Sequence, residues 1–254
     1  MSQFSGRGTF AGMGFNFILF SCLLVLGSDV YGFTFSKNLN FNERAHVVRT
    51  LGFGGTPKSL TSPLPLGGDL GLEFGISYDF ISTSNLRRLG DRQGLGDEVS
   101  IPALSIGKGL FSNIDFFFQF SPLPSDQKIN HYAGLLRWAF YDIKTLPIKV
   151  SLNFSAGVSV FDDFLSLRST VVDVLTSYYL DNLSLYFGVG YIRSSGYFYG
   201  GSDSLADDLQ THLHEDTETR SFVGLDYDIN PYFFTFEINR FTDTVFALKL
   251  GLRI

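Results

Sequence analysis

The sequence predicts an all-β fold, an antiparallel transmembrane barrel of about ten strands. Three observations carry that expectation. Period-two alternation of large apolar with small or polar residues recurs from residue 69 onward. The alternating segments have roughly the 9–11 residues that a tilted strand needs to cross a bilayer. The gaps between them are short at every second position and mostly longer at the others, as the two ends of a membrane barrel require.

Composition agrees with this. Charged residues make up 17% of the 254-residue chain, against roughly 25% in soluble domains. Aromatics reach 16%, with 28 Phe beside 27 Gly. A helical membrane protein would show long unbroken apolar runs. The net charge of −6 argues against a nucleic-acid partner, which needs a basic face.

The first element is a signal peptide, expected over residues 1–32. Arg7 precedes the apolar run FNFILFSCLLVLG (residues 15–27), and SDVYG follows it. Val30 and Gly32 occupy the −3 and −1 positions, so the mature chain starts near Phe33. The run is short for a helical span of ~20 residues. Cys22 is the sole cysteine and lies within this segment, so no disulfide framework remains after cleavage. LFSC (residues 19–22) resembles a lipobox only superficially, since apolar residues continue past Cys22.

Residues 33–68 form a second, non-barrel segment. FNERAHVVRTLG suits a short helix with Asn42 as N-cap and Gly52 as its stop. GFGGTPKSLTSPLPLGG then packs five Gly and three Pro, which no regular element accommodates. The segment reads as a periplasmic lead-in, or as a plug in the barrel mouth where Arg44 and Arg49 meet lumen acids. An extra strand is the third possibility.

The barrel is expected over residues 69–254. Its candidate strands are 69–81, 99–110, 113–121, 130–142, 147–160, 167–178, 182–193, 218–228, 231–241 and 243–254. In the first, Leu70, Leu72, Phe74, Ile76, Tyr78 and Phe80 oppose Gly71, Glu73, Gly75, Ser77 and Asp79. In the fifth, Ile148, Val150, Leu152, Phe154, Ala156 and Val158 oppose Lys149, Ser151, Asn153, Ser155 and Gly157. The polar face is small and mostly uncharged, which suits a narrow interior rather than a solvated outside. The sixth strand alternates poorly around Val171–Val174, and Lys108 falls on the apolar face of the second, tolerable near the interface. The count becomes eight if the sixth and a neighbour are not strands, and twelve if residues 46–54 pair.

On these residues the chain resembles the Gram-negative outer-membrane β-barrel proteins as a class. The resemblance covers the signal segment and residues 69–254. It rests on alternation, loop parity and the strand-ending FALKLGLRI. It implies residence in the outer membrane, contact with outer-membrane lipid, and recognition by the barrel-assembly machinery through the last strand. The class commonly ends in an aromatic residue, whereas this chain ends in Ile254.

The inward face carries Glu73, Asp79, Asp115, Asp173, Asp226 and Glu237 with Arg137, Lys149, Arg220, Lys249 and Arg253. Both signs in comparable number predict a lumen network of ion pairs, because unpaired buried charge is costly. The longest connection, residues 194–218, holds Asp203, Asp207, Asp208, His212, His214, Glu215, Asp216 and Glu218. It reads as a solvated acidic loop; His212 and His214 are weak metal candidates. Tyr197, Phe198 and Tyr199 suit a membrane edge or contact surface. Asp207, Asp208 and His212 supply residue types for a protease but share one loop, and His131 has no sequence partner for a hydrolase. No catalytic residue and no cofactor is assigned. Three functions follow in order: a structural or surface-exposed barrel with a filled polar lumen, a narrow channel for small solutes or apolar molecules, and an outer-membrane hydrolase.

Overall fold

The computed structural model describes residues 38–90, 97–121, 129–143, 146–161, 164–199 and 212–254. Among them, ten strands close into one antiparallel barrel, each pairing with its sequence neighbour. They are β1 (Leu72–Ser82), β2 (Glu98–Gly109), β3 (Ile114–Phe120), β4 (Ile129–Ile143), β5 (Ile148–Phe161), β6 (Leu165–Leu180), β7 (Leu183–Phe198), β8 (His212–Ile229), β9 (Tyr232–Arg240) and β10 (Thr244–Arg253). β10 pairs with β1 from Glu73↔Arg253 to Ile81↔Val245, so the sheet has no free edge. Leu72 and Ile254 exchange backbone hydrogen bonds of 2.8 and 2.9 Å, extending that seam to the last residue.

β1, β3, β5, β7 and β9 end, and the strands after them begin, at one end, the loop end. β2, β4, β6 and β8 end, and the strands after them begin, at the other, the turn end. In the first turn Ser112 and Asn113 have φ of 54° and 59°, the left-handed pair that lets a tight hairpin follow strand twist.

The pleat sorts side chains as the alternation requires. Phe74 and Ile76 on β1, Phe116 and Phe118 on β3, Leu185 and Phe187 on β7, and Phe246 on β10 point outward and are exposed. Aromatics mark both edges of this apolar band. Tyr132 and Tyr191 lie towards the loop end; Trp138, Tyr141, Tyr178 and Tyr227 lie towards the turn end. A bulge between Ala139 and Tyr141 turns Phe140 and Tyr141 outward together with Trp138. Among the described residues no helix is long and apolar enough to cross a membrane.

Three expectations need correction. β7 and β8 run on as paired strand to Phe198↔His212, so the connection between them is 199–211 rather than 194–217. Alternation of the lipid-facing kind stops there because the outward residues become Arg193, Ser195, Glu215 and Thr217. The backbone ladder nevertheless continues, with an Arg193–Glu215 ion pair of 2.7 Å on its outer face. β6 alternates regularly, Val171 and Asp173 buried, Val172 and Val174 exposed; the pattern blurred because Val171 faces an apolar interior. The N-cap of the first helix, α1 (Phe41–Val47), is Asn40 rather than Asn42. Asn40 accepts from the backbone N–H of Asn42 and Glu43, while the Glu43 carboxylate accepts from the Asn40 N–H, a complete capping box.

Candidate functional site: the lumen and the strap inside it

The inside of the barrel has two layers. In the loop-end half, inward residues are apolar: Ile81, Val99, Ile101, Ile129, Leu167, Ile192 and Val245. Against them pack Leu39, Val47, Val48, Leu51 and Phe53, from α1 and the helical turn Val48–Gly52 that continues it. Two glycines permit the fit. A Cβ on Gly196 of β7 would lie 2.3 Å from Val48 Cγ2, and one on Gly52 would lie 2.2 Å from Ser194 Oγ. A Gly196→Val variant is therefore expected to lose about 1–3 kcal/mol by overpacking. The check is a lower midpoint for the heat-induced mobility shift of the folded barrel on gels.

α1 is anchored to the loop end. The Phe41 and His214 rings lie 4.6 Å apart, and His214 also meets Phe198 at 5.7 Å. Arg49 pairs with Asp216 at 2.8 Å, Thr50 donates to Asp243 at 3.1 Å, and the Gly90 N–H donates to Glu43 at 3.1 Å. Buried Arg44 donates to the Leu39 carbonyl at 2.9 Å.

From Gly54 to Leu66 the chain descends the lumen as an extended strap, and its partners change from apolar to charged. Lys58 pairs with Asp79 at 3.0 Å and also donates to the carbonyls of Gly54 and Thr56. Asn153 donates to the Ser59 hydroxyl at 2.8 Å. The wall also binds the strap backbone. The N–H groups of Leu60, Ser62 and Leu66 donate to Glu237, Asp226 and Asp115, each at 3.1 Å. Arg137 donates to the Ser62 carbonyl, and Arg220 to that of Pro57. Leu66 reaches Asp115 near the turn end, beside which β1 begins.

The inward charges assemble around this strap. Asp115 holds Arg137 at 2.9 Å, Asp173 holds Arg220, and Glu73 accepts from Lys249 at 2.5 Å and Arg253 at 2.9 Å. Arg253 also reaches Asp226 at 2.9 Å, and Asp228. Glu237 accepts from Tyr186 Oη and Asn239 at 2.9 Å. Lys149 stands apart, at the turn-end rim with the exposed Asp142. Lys108 lies on the outward face of β2 at its turn end and donates to the Asp69 carbonyl. Inward aromatics complete the cation sites: Phe117 under Arg137 and Lys249, Phe222 under Arg220, and Phe233 under Arg253 at 4.0 Å.

Sequence reasoning set Asn153 and Tyr186 on the inward face without giving them a role, and it missed Lys58 and these phenylalanines. Phe117 is the instructive case: it shares the inward face with Asp115 two residues earlier, yet the apolar run Phe116–Phe118 gives no sign that its ring lies against Arg137 and Lys249. His131 does have a partner, Ser159 Oγ at 2.9 Å from its Nδ1, but both side chains are buried inside the wall near the strap. His212 and His214 start β8; among the described residues no His, Cys, Asp and Glu side chains gather as metal ligands. Asp203, Asp207 and Asp208 lie outside the described residues.

No family model and no curated protein matches this sequence. Solved structures do resemble it in fold. The N-terminal β-barrel domain of Pseudomonas aeruginosa OprF is 12% identical with a TM-score of 0.39, covering 74% of this chain and 99% of that one. Ail, the attachment invasion locus protein of Yersinia pestis, is 13% identical at a TM-score of 0.37, covering 72% and 98%. Neisserial surface protein A is 8% identical at 0.33, covering 72% and 95%.

Proposed function

We propose that this protein is an outer-membrane barrel, sealed by its own amino-terminal strap, with a structural or surface-exposed role. Its apolar outer band, edged by aromatics, suits outer-membrane lipid, because exposed apolar surface of that extent is not left to water. The short turns then face the periplasm and the longer connections the exterior. One observation carries the sealed reading. Glu73, Asp115, Arg137, Arg220, Asp226, Glu237 and Lys249 are each at most 1% exposed, so at their level the lumen has no continuous water path. Buried charge of both signs in contact is a filling device; a diffusion pathway would leave those groups hydrated. The Ser159–His131 contact supports no hydrolase reading, since a nucleophile under the strap meets no substrate.

The test is single-molecule conductance of refolded protein in planar lipid bilayers. A silent barrel is expected; stable open steps from the intact chain would favour the narrow-channel reading instead.

A further inference from the structure

The direction of the strap has a topological result. It meets β1 at the turn end, through Leu66, Asp115 and the short helical turn Gly68–Leu70, whereas α1 sits at the loop end against His214 and Gly90, and the turn after it against Asp216 and Asp243. The same chain therefore passes through the barrel lengthwise before its first strand. The outer side of α1 is open, with Phe41 66% exposed and Asn42 and His46 exposed. These residues share the loop-end rim with Arg49–Asp216 and with the exposed residues of Ser84–Arg88.

We infer that α1 is part of the cell surface: it presents Phe41, Asn42 and His46 to the exterior, and the chain after it runs down through the lumen to the periplasmic end, where β1 begins. This rests on the outer-membrane reading above, with the loop end outward. No leakage path is needed, because the apolar layer of Val48, Leu51 and Phe53 seals the strap where it emerges. Among the described residues, the external rim then combines α1 with Ser84–Arg88, Asp216 and Asp243.

Cysteine labelling of the full chain in intact cells tests it, in a Cys22→Ser background. Asn42→Cys and His46→Cys probe α1, Ser84→Cys marks the loop end, and Phe111→Cys marks the turn end. All four positions are exposed side chains, and two α1 sites guard against one failing to fold. A membrane-impermeant maleimide is expected to label positions 42, 46 and 84 in intact cells, and position 111 only after permeabilisation. Labelling at 84 without 42 or 46 overturns the surface placement of α1 while leaving the barrel's orientation intact. Labelling at 111 but not 84 overturns the orientation, and labelling nowhere until lysis overturns outer-membrane residence; either removes the inference too.

Discussion

Deleting residues 38–66 is expected to convert a silent barrel into a conducting one. The strap fills the space between Asp79, Asp115, Arg137, Asn153, Asp226 and Glu237, and each of these would face water once it is gone. Lys58 leaves with it, so the bare wall holds Glu73, Asp79, Asp115, Asp173, Asp226 and Glu237 against Arg137, Arg220, Lys249 and Arg253. Acids outnumber cations, and a low-dielectric wall focuses that field on the pore. The open state should therefore prefer cations. Its steps should be small, since wide aqueous channels belong to barrels of 16–18 strands. Reversal potentials across a salt gradient measure the preference. A deletion variant that folds, by its heat-dependent gel shift, yet stays silent would refute the plug role.

The largest stability loss is expected at the seam. Glu73 is fully buried and holds both Lys249 and Arg253 of β10, which pairs directly with its strand. Arg253 keeps Asp226 and Asp228 if Glu73 is neutralised, but Lys249 loses its ion-pair partner while 1% exposed. Removing one member of a buried pair leaves uncompensated charge, a loss of about 3–5 kcal/mol. Glu73→Gln should show it as a lower urea midpoint in detergent micelles. Adding Lys249→Met removes the stranded ammonium and should recover much of the loss. If the double variant is no better than the single, the Glu73–Lys249 contact is not what holds the seam.

The barrel was legible because its main signal is geometric. A strand with lipid on one side and small polar neighbours on the other must alternate, and β1, β5 and β10 do so along their length. Legibility failed where both faces carried one kind of residue. β6 blurs at Val171–Val172 because its inner neighbour there is the apolar helix layer. The top of β7 and β8 vanished from view because Arg193 and Glu215 point outward above the apolar band. The lumen charges stood out, being rare in such a chain; Asp115 and Arg137 are direct cross-strand partners, but Asp173 and Arg220 meet across an intervening strand, which no local pattern encodes. The strap was the least legible part. Its Gly and Pro forbid helix and strand, and the wall groups that hold it, mostly far along the chain, meet its backbone as well as the side chains of Lys58, Ser59 and Thr61.

The strap also constrains the order in which the molecule can be made. Its upper end carries α1, wider than the extended chain below, and the polar layer beneath is packed around that chain. A closed ring would admit α1 only as unfolded, extended chain. Seating the segment against the sheet before β10 meets β1 avoids that step. Arg253, at the very seam, touches Thr61 of the strap at 3.4 Å and holds Asp226, to which the Ser62 N–H donates. The last strand thus recognises the first and the cargo between them in a single act. Closure of the sheet and seating of the strap thus share the same residues at the seam.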